Sequence, residues 1–152
     1  MRPSCLVLVT LLIAAPSLAQ DKPLEGDLAQ VQGTWTAKIG PNKDLPVTLK
    51  IKGNAMIVTF TTEPGAAHTV QAELKLDEAA TPKAMDWVQV TLDGQEASNI
   101  LAIYEIRGDL LKLRTRRGQG DPRPSEFLPD PGEGLDQAVF TRQDDEANQG
   151  AR

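Results

Sequence analysis

The residues of this chain that could carry chemistry are few, and their spacing limits what they can do. His68 is the only histidine, five residues beyond Glu63. One imidazole with no cysteine or second histidine nearby supplies too few ligands for a structural zinc site. Its place among turn residues predicts a solvated loop side chain. Ser98 and Ser125 are the only serines beyond the N-terminal leader, and neither stands in a nucleophile signature. Glu105 and Glu126 are of a type that could share acid and base roles. Nothing in their spacing pairs them, and Glu105 beside Tyr104 on a strand is expected to face either solvent or a paired Arg such as Arg123 or Arg142, as a structural group. These residues predict no catalytic group, no metal site and no cofactor, and the chain reads as a protein that is not an enzyme.

Other groupings point to binding or to architecture. Lys112, Arg114 and Arg116 alternate along one strand, with Arg117 and Arg123 following, and they form the best patch for an anionic partner. The same spacing fits an outward strand face kept charged against edge pairing. Arg107-Gly108-Asp109 spells an adhesion tripeptide, yet a Gly-Asp pair between two alternating apolar runs is what a tight hairpin needs. Phe60, Trp87 and Tyr104 are the bulky members of an apolar set and would line or fill an interior. Gly33, Trp35 and Arg142 mark the two ends of the β-rich stretch. A Trp on the first strand can stack under an Arg on the last only if those strands are neighbours.

The elements that must position these residues are strands. From Gly33 to Arg142 apolar residues recur at every second position, broken by Gly, Pro, Asn and Asp. Val47, Leu49 and Ile51 alternate with polar residues; Gly53-Asn54 turns the chain into Met56, Val58 and Phe60. Val70, Ala72, Leu74 and Leu76 follow the Glu63-Pro64-Gly65 turn, and Val88, Val90 and Leu92 precede Asp93-Gly94. Runs at 100–106 and 110–115 flank the Arg107-Gly108-Asp109 turn. With 34–39 first and 138–142 last, about eight strands are predicted, which suits an antiparallel barrel just wide enough to be filled or to hold one small ligand. A short helical turn is expected before the first strand, capped by Asp27, with Leu28 and Val31 on one face as a plug. Residues 79–84 and 118–134 read as irregular, the second long enough to be a candidate for function.

Residues 1–19 have the form of a secretory signal: Met1-Arg2, an apolar run from Cys5 to Ala15, then Ser17-Leu18-Ala19. The run is about eleven residues, short of the roughly 20 needed to span a membrane, and a periplasmic or extracellular monomer is expected. Cleavage would remove the only cysteine, so no disulfide is available. It would also remove Arg2, leaving 15 basic against 21 acidic residues, a net charge of about −6. That charge, with only six aromatics, disfavours nucleic acid as a partner. The domain reading is a signal at 1–19, an N-terminal segment at 20–27, a barrel at 28–142 and a disordered polar tail at 143–152.

The Val31-Gln32-Gly33-Thr34-Trp35 opening and the late Arg142 resemble lipocalin-like barrels, in which a Gly-x-Trp opens the first strand and an Arg packs on the Trp. With the Leu101-Ala102-Ile103-Tyr104-Glu105 segment, Gly108-Asp109-Leu110 and Arg123-Pro124-Ser125-Glu126-Phe127, the chain is also similar to a family of small exported domains of uncharacterised function known from planctomycete bacteria. Typical lipocalins have a Thr-Asp-Tyr segment that is missing here, and Arg114 stands where relatives often have Cys. The resemblance implies an eight-stranded barrel and carries no activity of its own; the functional reading of the chain is an exported non-catalytic binding module, its ligand a small apolar molecule or an envelope protein. The alternative is an inhibitor of a secreted protease. Some bacterial metalloprotease inhibitors share a small barrel with a Gly-x-Trp opening and use an N-terminal segment, here 21–27, although they commonly carry a disulfide.

Overall fold

The structure is a computed structural model that describes residues 22–40, 42, 44–62, 65–116, 121–129 and 137–144. The expected signal at 1–19, Glu63-Pro64, Arg117, parts 118–120 and 130–134 of the long connection, and the tail from residue 145 lie outside the described residues. The elements run α1 Gly26–Gln30, β1 Gly33–Ile39, β2 Leu45–Lys52, β3 Ala55–Thr62, β4 Ala66–Asp77, β5 Ala84–Leu92, β6 Gln95–Glu96, β7 Ile100–Arg107, β8 Leu110–Arg116 and β9 Gln137–Arg142.

Eight of the nine strands close on themselves, each antiparallel to its neighbours: β1, β2, β3, β4, β5, β7, β8 and β9, with β9 returning to β1. Strand β6 is a two-residue addition pairing with the end of β5. Alternation drives closure, because each strand buries one face. In β2, Val47, Leu49 and Ile51 are buried while Pro46, Lys50 and Lys52 are exposed. The β1–β9 seam is the shortest, with two register pairs, Trp35 opposite Arg142 and Thr36 opposite Thr141. No helix among the described residues is long and apolar enough to cross a membrane.

The expected alternation is shifted in β5. Simple period-2 reading puts Val88, Val90 and Leu92 inward, which would turn Trp87 out. In the structure β5 carries an extra residue opposite β4: Glu73 pairs with Val88 but Gln71 with Thr91. Gln89 takes the surplus with a φ of 52°. Such a bulge reverses the facing of everything beyond it, so Trp87 and Val90 both face the interior and Val88 does not.

One sheet face is buried on both sides. Ala102, Ile103 and Tyr104 are consecutive and all buried, which alternation alone does not predict. Residues 121–129 explain it by crossing the outside of the barrel. Pro124 is fully buried, and Arg123 bonds Asp86 of β5 and the carbonyl of Ala102 in β7. Farther along, Leu128 exchanges N–H and C=O hydrogen bonds with the buried Gln137 side chain of β9 (2.8 and 3.1 Å). Ala84, Ile103, Arg114 and Gln137 form the covered register row.

Candidate functional site

The two ends of the barrel are built differently. At the end where β1 begins, α1 is packed in as a stopper through Val31, fully buried, and Leu28. Asp27 is inside the helix, not its cap, which corrects the expectation; Glu25 holds the N-cap position without a side-chain hydrogen bond. The reason is a better use of the carboxylate. Asp27 Oδ2 accepts from Tyr104 Oη at 2.7 Å and from Lys83 Nζ at 2.6 Å, while its N–H donates to Glu78 Oε1 at 2.7 Å. Burial disfavours the Asp27 anion, but the two hydrogen bonds and the Lys83 charge outweigh it and hold the carboxyl below its ordinary range. Burial, then the Asp27 bond and charge, push the Tyr104 phenol up, so it stays a donor. Bonding to Asp27 raises Lys83. Gly26 has a φ of 62°, a conformation that favours glycine, and a Cβ there would lie 2.5 Å from Glu78 Oε1, so a side chain at this position would displace the Glu78 carboxylate.

The same end holds Trp35 and Arg142. The Arg142 guanidinium lies 4.1 Å from the Trp35 ring centre. It donates to the carbonyls of Gln30 (2.7 Å) and Gln32 (2.6 Å) and to Asp109 Oδ1 (3.1 Å). Trp35 Nε1 donates to the Val31 carbonyl at 2.8 Å. Gly33 has a φ of 112°, and a Cβ there would lie 3.4 Å from Arg142 Nη1, in van der Waals contact. The Gln32 side chain ties α1 to the β2–β3 turn through the Leu28 and Gly53 carbonyls and the Gly53 N–H. The shortest seam of the barrel is thus reinforced by side chains that also fasten the plug.

The opposite end is hollow. A cavity of about 390 Å³ is lined by Leu49, Val58, Phe60, Trp87, Leu113 and Phe140 among other apolar residues, and opens beside the exposed Ala97, Ser98 and Asn99. Its polar contributors are Ser98, Asn99, Thr115 and the Trp87 indole; no Asp, Glu, Lys, Arg or His lines it among the described residues. Trp87 Nε1 is buried with no hydrogen-bond partner among the described residues. Of the three aromatics expected inside, Phe60 and Trp87 therefore share the cavity, whereas Tyr104 belongs to the plugged end. Sequence reasoning missed Ser98 and Asn99 as lining residues, since loop side chains carry no periodicity, and Thr115, a polar residue on the inward face of β8.

The remaining candidates are dispersed. His68 lies on β4, not in a loop: its ring sits 5.4 Å from Phe60, Nδ1 is 2.8 Å from Asp93 Oδ2 and Nε2 3.3 Å from Thr62 Oγ1. Asp93 also accepts the Thr69 N–H at 2.8 Å; the His68 bond first and this one second hold its carboxyl low. Glu105 pairs with Arg107, not with Arg123 or Arg142, and Glu126 contributes its backbone carbonyl to Arg114. The Arg107-Gly108-Asp109 tripeptide is the β7–β8 hairpin, its Asp109 bonded to Arg142. The basic row is largely occupied by the chain itself. Lys112 Nζ sits 4.7 Å over the Phe127 ring and Arg114 holds Glu126, leaving Arg116 as the exposed member. No group of three or more His, Cys, Asp or Glu could hold a metal ion among the described residues. Comparison with protein-family models, curated proteins and solved structures finds no match for the chain.

Proposed function

We propose that this protein is an exported, non-catalytic binding module that carries a small apolar molecule in the open end of its barrel. The observation that carries the reading is the 390 Å³ apolar cavity beside a firmly plugged end. Its volume falls within the range of roughly 300 to 1,000 Å³ typical of small-molecule sites. Apolar lining supplies affinity through removal of ligand surface from water. The signal-like residues 1–19 and the lipocalin-like opening motif support export and ligand carriage. Native mass spectrometry of residues 20–152 recovered from the exported fraction of the host tests this: a reproducible small adduct lost on unfolding is expected. A bare polypeptide mass, together with no binding of the neutral fluorophore N-phenyl-1-naphthylamine, would overturn it.

Inhibition of a secreted protease is the second reading, favoured by one feature. Residues 22–26 are exposed while Asp27 anchors them to the barrel, as a tethered inhibitory segment requires. Trimming residues 20–24, which leaves the Glu25 N-cap and α1 in place, should abolish inhibition without loss of fold.

A further inference from the structure

We infer that the cavity selects an apolar body carrying one neutral hydrogen-bonding head group, an alcohol or amide, and discriminates against carboxylates of the same length. The inference rests on the reading of the cavity as a ligand site and adds the chemistry of the ligand.

The cavity has a direction. On β2, β3, β8 and β9 the lining residue nearer the plug is apolar: Leu49 below Val47, Val58 below Phe60, Leu113 below Thr115, Phe140 below Ala138. Polar lining collects at one side of the mouth. Ser98 and Asn99 lie between β6 and β7, and Thr115 is the next inward residue of β8 after Leu113. Strands β7 and β8 are neighbours, with Ala102 opposite Thr115. Two hydroxyls and one carboxamide supply both donors and acceptors there. Trp87 Nε1 is too well sealed to join them, so recognition of a polar head falls to the rim.

Charge is excluded on two grounds. No described lining residue is ionisable, so a buried carboxylate would lose its hydration without gaining a counter-charge. Next to the lining residue Leu92 stands Asp93, whose carboxylate is already satisfied by His68 and the Thr69 N–H. His68, committed to Asp93, is not free to receive an anion. The size is also bounded. The cavity is about two and a half times the ~150 Å³ that admits benzene.

The test is displacement of N-phenyl-1-naphthylamine from the full mature chain by 1-decanol, decanoate and decyltrimethylammonium, all below their aggregation thresholds. The expected order is 1-decanol tighter than decanoate by about tenfold or more, the value of one good hydrogen bond gained or one charge left bare. Asn99→Ala combined with Thr115→Val should weaken 1-decanol about tenfold and decanoate far less. In the wild type, decanoate binding as tightly as 1-decanol overturns the inference, and decyltrimethylammonium binding tightest overturns it in favour of Asp93 as the recognition group. An unchanged 1-decanol affinity in a folded double variant also overturns it. Failure of the fluorophore and all three competitors to bind overturns the ligand-site reading itself, which keeps the two failures apart.

Discussion

The plugged end and the open end of this barrel are made by the same eight strands, and they differ in what the inward side chains meet. At the plugged end, Trp35, Met85, Tyr104 and Leu111 meet α1 and one another, and each is essentially inaccessible. The polar groups brought in there are partnered: Asp27 has four partners, Glu78, Gln30, Lys83 and Tyr104, and Trp35 Nε1 and Tyr104 Oη have one each. At the open end, inward residues of similar size meet a void, and the buried Trp87 N–H has no partner among the described residues. One end is optimised for packing. The other forgoes dispersion contacts that its lining could make. Dense packing and open volume are thus spatially separated, so mutations at the two ends should have distinct signatures.

The largest effect should come from Trp35→Ala, which removes the centre of the plugged end and the surface on which Arg142 stacks. A loss of about 3 to 5 kcal/mol is expected, close to the whole stability of a small domain, and chemical denaturation should show little cooperative unfolding left. A cleanly melting variant of near-native stability would break the comparison. A sharper version uses two leucines on β8. Leu111→Ala, at the plugged end, should cost about 3 to 5 kcal/mol, whereas Leu113→Ala, already bordering the cavity, should cost nearer 2. Equal losses in denaturant melts would mean the cavity collapses in solution.

Electrostatics gives the next prediction. Asp27→Asn should destabilise by about 1.5 to 3 kcal/mol, since hydrogen bonds to a charged acceptor are lost in a buried setting. Folding also holds the Asp27 carboxyl below its ordinary 3.8. Its contribution is therefore complete above pH 3.8 and is lost as pH falls through the lower folded value. Asp93 is held low as well and adds to the same acid limb. Thermal melts between about pH 2 and 5 should show a shallower decline for Asp27→Asn than for wild type. The smallest effect belongs to Trp87→Phe. Removing an unpartnered buried donor offsets the lost ring area, so a change within about 1 kcal/mol is expected. A loss as large as that of Leu111→Ala would show that the indole N–H has a partner in solution.

Much of the architecture was legible in the residues. Val47, Leu49 and Ile51, then Met56 and Val58, announce a hairpin, and Trp35 with Arg142 announces closure, because both depend on short-range patterning and on residue types with strong geometric demands. Other features were not legible. The bulge at Gln89 follows no turn signal, yet it decides that Trp87 faces the cavity. Asp27 looks like a helix cap when read along the chain, and only the approach of Tyr104, 77 residues later, makes it a buried anchor. Lys112 and Arg114 look like a free basic stripe until residues 121–129 lie across them.

Local sequence suffices for the eight strands of the barrel, most of the inward and outward alternation, the plug and the pairing of first strand with last. Periodicity, turn residues and the Gly33-x-Trp35 motif act locally or through one strong contact. Only the tertiary structure decided how the interior is shared between packing and void. That depends on where the ends of eight strands arrive in space and on one added residue in β5. It also depends on which polar groups find partners across the barrel, and none of these is a property of any segment taken alone.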